Sequence, residues 1–323
     1  EEGLIKVGFV STKLCNHTVG YLNVGYIEHL DRSKFQVDII CPDDGGDSIR
    51  KKIESAADNV HFVPRYLDKA RSIIAELKYD ILYFPDIGME PFSYFLAFAR
   101  MAPVQAVAWG HPVTTGIPNV DYFVSCDLME PENGQDSYSE TLIRLPDAGG
   151  YYYRPIKPEG QFDRGRNGLP EDQPIIACLQ SCFKFHPDFD PIVKNILTKV
   201  PDAILVLIDF VSEHLAKRLK RTLGDDFNRV HFVQPLLRDD FLLLASEANV
   251  LLDIPQWAGG RTSYECLAMG TPIVHLPGKF MRGRHTLAFY ETIGVLDCVA
   301  ENEHQYVDIA ERLVKDQAFN AAV

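Results

Sequence analysis

No run of apolar residues in this sequence is long enough to cross a bilayer, so a membrane-spanning helix is not expected. No basic stretch followed by an apolar core opens the chain, so no signal peptide is expected either. Positive charge is short as well. Lys and Arg total 32 against 45 Asp and Glu, a formal net charge of -13, which argues against a nucleic-acid partner. The seven cysteines contain no CxxC pair and no framework spacing, and several lie in apolar runs, as Cys41 does in "VDIICP". This points to reduced thiols and a cytoplasmic protein. The ten histidines show no HExxH or other metal-ligand spacing, so no metal site is expected. Neither the P-loop string GxxxxGK[ST] nor GxGxxG occurs.

What is present is a length of 323 residues and an apolar fraction of 46%, enough for two domains with cores of their own. Short apolar strands alternate with helical stretches. In the first half they are "IKVGFV", "KFQVDIICP", "NVHFVP", "DILYFPD", "VQAVAWGHP", "VDYFVS" and "TLIRLP", with helices near 47–57, 68–78 and 91–101. "PDDGGD" at 42–47 is a turn by composition. Residues 151–172 are rich in Pro, Gly and charge and read as the linker, with Tyr151, Tyr152 and Tyr153 packing on a domain edge. A second alternation follows: "PIIACLQ", "AILVLID", "RVHFV", "NVLLDI" and "TPIVHLP", with helices near 187–199, 212–223, 238–247, 261–269, 284–292 and 303–315. Buried strands between helices imply α/β domains with parallel sheets, here two doubly wound domains over 1–158 and 159–323. Ligands of such sheets bind beyond the carboxyl ends of the strands. Two domains facing each other would form a cleft there.

The stretch "DIPQWAGGRTSYECLAMG" is the most telling. A strand ends at Asp253, and the chain turns through Gly259 and Gly260 into a helix beginning near Arg261. Free N–H groups and the positive end of the helix dipole make such a start an anion site. Thr262 and Ser263 add hydroxyls, and Arg261 adds charge. The same pattern fits an ordinary capped turn. Glu265 lies one turn further, where a carboxylate can accept both hydroxyls of a ribose or simply favour the dipole. Gln180, Ser181 and Lys184 follow the first strand of the second domain, with Lys184 in the loop at its carboxyl edge. Arg238 and Phe241 open a helix near that edge. Lys279, Arg282 and Arg284 form either a solvated basic loop or a wall near a phosphate. Asp188-Phe189-Asp190 has the spacing of a metal-holding DxD, but its place at a helix start assigns it to N-capping. In the first domain His17 follows the first strand, and Gly110, His111, Pro112, Thr114 and Thr115 follow another. His17 fits a general base, a hydrogen-bonding group or a helix cap.

Taken together, "VGFVSTKLCNH", "APVQAVAWGHPVTTGIPNVDYFVS", "YSETLIRLP", "GLPEDQPIIACLQSCFKFHP" and "GGRTSYECLAMGTPIVHLPG" resemble glycosyltransferase family 41, the family of O-GlcNAc transferase and of bacterial protein glucosyltransferases. The resemblance covers nearly the whole chain. It implies a GT-B fold, a UDP-sugar donor, inversion at the anomeric carbon and no metal or other cofactor. It further implies that Lys184 meets the diphosphate and steadies the departing UDP, with His17 near the acceptor. Thr262, with the backbone around Gly260 and Arg261, would form the phosphate site, and Glu265 would hold the ribose. Arg238 and Phe241 would lie by the nucleotide, and Gly110 and Pro112 beside the sugar. Arg261 departs from a threonine common in the family, and His111 stands where O-GlcNAc transferase has tyrosine. Gln180 and Ser181 both stand where one glutamine contact falls.

The expected function is transfer of GlcNAc or Glc from a UDP-sugar to a protein Ser/Thr hydroxyl or Asn amide. The alternatives are a GT-B enzyme with a small-molecule or glycan acceptor, and a catalytically silent nucleotide-sugar-binding module.

Overall fold

The structure, a computed structural model, describes residues 3–42, 45–208 and 212–323. Part of the turn expected at 42–47, residues 43 and 44, lies outside the described residues. The chain divides into two compact units, Glu1–Tyr153 and Arg154–Val323.

In the first unit the strands are β1 (Ile5–Val10), β2 (Phe35–Cys41), β3 (Asn59–Phe62), β4 (Ile81–Phe84), β5 (Val104–Ala108), β6 (Tyr122–Cys126) and β7 (Thr141–Leu145). They form one sheet in the order β3-β2-β1-β4-β5-β6-β7, and all the pairings are parallel. Helices α1 (Thr18–His29), α2 (Ser48–Ala56), α3 (Leu67–Glu76) and α4 (Pro91–Leu96) connect the first five strands. Val37, Ile39, Leu82, Phe84 and Val107 are wholly buried, as a sheet covered on both faces requires. Strand order reverses between β1 and β4, and this is the switch point where ligands bind in such sheets.

Helix α4 stops five residues before the expected 101. Its closing carbonyls are taken by side chains from elsewhere: Arg71 donates to Phe95 O, Gln105 to Ala97 O and Asn119 to Phe98 O. The orphan acceptors of a helix end are thereby satisfied without a further turn. Tyr151 and Tyr153 pack on the ring of His29 at the end of α1.

The second unit holds β8 (Ile175–Cys178), α5 (Phe189–Lys199), β9 (Ile204–Ile208), α6 (Glu213–Leu223), β10 (Val230–Val233), α7 (Arg238–Glu247), β11 (Val250–Leu252), α8 (Arg261–Ala268), β12 (Ile273–Val274), α9 (His285–Ile293), α10 (Glu303–Lys315) and α11 (Gln317–Ala322). The sheet order is β10-β9-β8-β11-β12, again parallel, with its switch point between β8 and β11. Strands β8 and β9 are buried along their whole length. The linker composition of 154–172 conceals a fastened segment. Phe162 and Leu169 enter the core of the second unit. Glu247 accepts from Phe162 N at 2.7 Å, and Arg164 donates to the carbonyls of Pro170, Glu171 and Gln173.

Candidate functional site

In the second unit the expected residues converge on the carboxyl ends of β8 and β11. Gln180 follows β8 and is 5% exposed. Its amide donates to Trp257 O at 2.8 Å and accepts from Ile254 N at 3.0 Å. Both ends of the amide thus stitch the two loops together. Ser181 opens a short 3-10 turn, Cys182–Lys184, which Cys182 anchors through its thiol to Ile208 O. The turn carries Lys184 to the edge, with its Nζ 5.9 Å from the Trp257 ring centroid. Burial lowers the Lys184 pKa below its usual 10.5, and the charge of Asp253 opposes that fall.

Beyond β11 the chain turns through Gly259, whose N–H donates to Asp253 Oδ1 at 2.8 Å. A Cβ on Gly259 would lie 2.4 Å from Ser263 Oγ, so the turn packs against α8 only as glycine. Gly260 occupies the N-cap position of α8 and makes no side-chain cap hydrogen bond. The positive end of the α8 dipole therefore lies at this turn. Thr262 lines a small pocket at this switch point together with Gln180, Asp253 and Ser263. Ser263 itself is turned inward. It is 3% exposed, and its hydroxyl lies 2.9 Å from Thr286 Oγ1. Its geometry is that of a strut rather than of a ligand-facing group.

Glu265 receives Arg261 Nε at 2.9 Å, and Arg238 reaches the same Oε1 at 3.4 Å. Arg238, Arg261 and Glu265 are thus one cluster, assembled from the starts of α7 and α8. Phe241, on the first turn of α7, packs against the core. The basic loop after β12 joins the same region. The Arg282 guanidinium lies 5.9 Å from the Trp257 centroid, and Arg282 O accepts from Ala258 N at 2.7 Å. Trp257, which sequence reasoning passed over, is therefore where Lys184 and Arg282 meet. Its only signal was a tryptophan inside a glycine turn.

The DxD segment departs from expectation. Asp188 holds the N-cap position of α5, but its backbone is helical and its side chain makes no cap hydrogen bond. Asp190 is buried and gives both oxygens to Arg218, at 2.8 and 3.0 Å. Among the described residues no group of three His, Cys, Asp or Glu side chains is placed to hold a metal ion.

In the first unit His17 follows β1, Gly110 and His111 lie against the loop after β4, and Thr114 and Thr115 lie further along the edge, toward β7. His17 caps α1, its Nδ1 accepting from Val19 N at 3.2 Å. A ring that accepts at Nδ1 carries its neutral-form proton on Nε2, which makes Nε2 a donor. Gly110 fits against the Pro85 carbonyl, where a Cβ would lie at 2.2 Å. His111 lies against Gly88, and burial lowers its pKa. Pro112 is buried. Thr114 and Thr115 are engaged by Glu140, which accepts Thr114 Oγ1 at 2.7 Å, Thr115 N at 2.8 Å and the Thr115 hydroxyl. Burial pushes the Glu140 carboxyl up, but these donors outweigh it and hold the group below its usual range. The two threonines shape the loop from within.

Asp86, after β4, was not singled out in the sequence. It is wholly buried, accepts Ser11 Oγ at 3.0 Å on one oxygen, and has no hydrogen-bond partner on the other among the described residues. Burial raises its pKa to about 7, against the Ser11 hydrogen bond and with a further push from Glu90.

Two Rossmann-like units in tandem, the second with a glycine-led helix start and a lysine at its switch point, define an α/β protein of the GT-B type. The chain belongs to glycosyltransferase family 41: the model described as "Glycosyl transferase family 41" matches residues 1–151 and 162–323. It is 26% identical over 340 residues to the Arabidopsis thaliana "Probable UDP-N-acetylglucosamine--peptide N-acetylglucosaminyltransferase SEC", covering 97% of this chain and 34% of that protein. It is 27% identical to the Petunia hybrida SPINDLY protein of the same description, covering 98% of this chain and 35% of that one. The fold superimposes on a mutant of the Thermobaculum terrenum O-GlcNAc transferase with a TM-score of 0.86 at 28% identity, covering 99% of this chain and 61% of that one. The chain thus spans about a third of the length of these curated relatives. Among the described residues no helix is long and apolar enough to cross a membrane.

Proposed function

We propose that this chain is the catalytic region of an inverting, metal-independent glycosyltransferase that moves GlcNAc or Glc from a UDP-sugar to a protein Ser/Thr hydroxyl or Asn amide. The observation that carries the reading is the grouping of Lys184, the uncapped start of α8 and Arg261 at one switch point. As the bond between the anomeric carbon and the β-phosphate oxygen breaks, its electron pair passes to UDP. Lys184, Thr262 and the amides of 260–263 receive that charge in the place of a metal ion. Glu265, held by Arg238 and Arg261, takes the ribose hydroxyls, and Phe241 lies toward the base. The acceptor oxygen or nitrogen forms the new bond from the opposite face and gives up its proton. His17 serves as an orienting donor rather than as the base, and Gly110, His111 and Pro112 shape the sugar side. Gln180, Ser263, Thr114 and Thr115 support these groups from behind. The printed functions of the SEC and SPINDLY relatives favour a peptide acceptor and UDP-GlcNAc.

The test is transfer from UDP-GlcNAc and UDP-Glc to a peptide panel, read by product mass, with wild type and Lys184→Ala. Transfer by wild type and its collapse in the variant support the reading. UDP binding with neither transfer nor donor hydrolysis would instead mark a silent binding module.

A further inference from the structure

The arginines of the second unit are held in two ways. Arg164, Arg218 and Arg229 spend their donors inside the protein, on backbone carbonyls and on the carboxylates of Glu247, Asp190 and Asp226. Arg282 is held by rings instead. Its guanidinium lies 4.4 Å from the Phe280 ring centroid and 5.9 Å from that of Trp257. Such contacts use the charge and the plane of the group and leave its N–H fork to a ligand. Among the described residues no side-chain N–H of Arg282 makes a hydrogen bond, and neither Arg282 nor Lys279 makes an ion pair.

The backbone beneath Arg282 is packed onto the segment that leads into the glycine turn. Residues 278–283 close on themselves, Gly278 N–H donating to Gly283 O at 2.8 Å, and Ala258 N–H donates to Arg282 O at 2.7 Å. A Cβ on Gly278 would lie 2.5 Å from Pro255 O, and one on Gly283 2.3 Å from it, so the close approach needs glycine at both positions. The sheet order sets these loops in a row along the carboxyl edge: Arg238 after β10, Lys184 after β8, the α8 start after β11 and Arg282 after β12. Arg238, which reaches Glu265, marks one end of the row, and Arg282 marks the other. Lys184 comes to the same Trp257 ring from between, its Nζ 5.9 Å from the centroid. Two cations brought to one ring repel each other, and an anion between them turns that cost into binding.

We propose that Arg282 is a further catalytic residue, the one that meets the β-phosphate of the donor. The assignment rests on the proposed function, in which the ribose lies at Glu265; the diphosphate then runs along the row from Glu265 toward Arg282. An oxygen of the β-phosphate takes the electron pair when the sugar leaves, so the fork of Arg282 acts on the charge that develops there.

Arg282→Met keeps an apolar stem against the two rings and removes the charge and the donors. Its affinities for UDP and for UMP, which has no β-phosphate, are measured by calorimetry beside those of wild type. UDP affinity falls about 10–100-fold, the usual worth of hydrogen bonds to a charged group, and UMP affinity is unchanged. Arg282→Lys, which keeps the charge and loses the fork, recovers part of the loss. Equal losses for UDP and UMP, or no loss for either, overturn the role of Arg282 and leave the proposed function standing. Wild type that binds neither nucleotide overturns both. Should Arg282→Met fail to fold, Arg282→Gln, neutral and hydrophilic, carries the same comparison.

Discussion

The two units share a topology and differ in how their switch points treat a carboxylate. At the β8–β11 edge Asp253 has donors on both oxygens: Gly259 N–H on one, Thr286 and His275 on the other. At the β1–β4 edge Asp86 is as deeply buried, yet it has one donor and an oxygen without a partner among the described residues. A carboxylate with donors on both oxygens is held in one orientation. A half-satisfied carboxyl titrates near neutrality. The sheet supplies the address; the donors gathered there decide how firmly the carboxyl is held.

The largest expected effect breaks this comparison at Asp86. The ordinary aspartate value is 3.8, and the folded one is raised to about 7. Between these values the unfolded chain releases its proton while the folded chain keeps it. Stability therefore falls as pH rises through that window and levels off above it. The gap of about three units corresponds to roughly 4 kcal/mol. Asp86→Asn removes the slope, so urea unfolding at pH 4 and pH 8 should show the variant gaining on wild type by that order. Parallel pH dependence in the two proteins would place Asp86 in a satisfied site after all.

At the β8–β11 edge, Lys184→Ala should lower transfer by roughly 10²–10³, or about 3–4 kcal/mol, the usual cost of one well-aimed donor to a developing anion. Glu265→Gln leaves Arg238 and Arg261 without their shared carboxylate. UDP affinity should weaken by about 1–3 kcal/mol, measured by calorimetry, with the fold intact by circular dichroism. The smallest effect is expected for Thr115→Val. It removes a hydroxyl donor to Glu140 and the acceptor for Ile117 N, costing about 1 kcal/mol of unfolding free energy and leaving UDP affinity unchanged. A fall in UDP affinity in that variant would move Thr115 from the loop's interior to the ligand.

The strands and their alternation with helices were legible in the sequence because buried parallel strands are continuous apolar runs. The positions of Lys184, Arg238 and the α8 start were legible too, since each follows directly on a strand. What the sequence hid is non-local. Ser263 and Thr262 look alike in "GRTSYE", but Ser263 meets Thr286 and turns inward. Asp253 marks a strand end, and nothing near it announces His275 or Thr286. Thr114 and Thr115 look like ligand hydroxyls until β7 brings up Glu140 beside them. Helix α4 reads as longer than it is because its stopping partners, Arg71, Gln105 and Asn119, come from three other segments.

The most direct measurement is a crystal structure of this chain soaked with UDP and no added divalent metal. The account predicts diphosphate oxygens within hydrogen-bond distance of Lys184 Nζ and of the amides between Gly260 and Ser263, with the ribose against Glu265. A nucleotide bound away from the β8–β11 edge, or a diphosphate there touching neither Lys184 nor the α8 start, would contradict it.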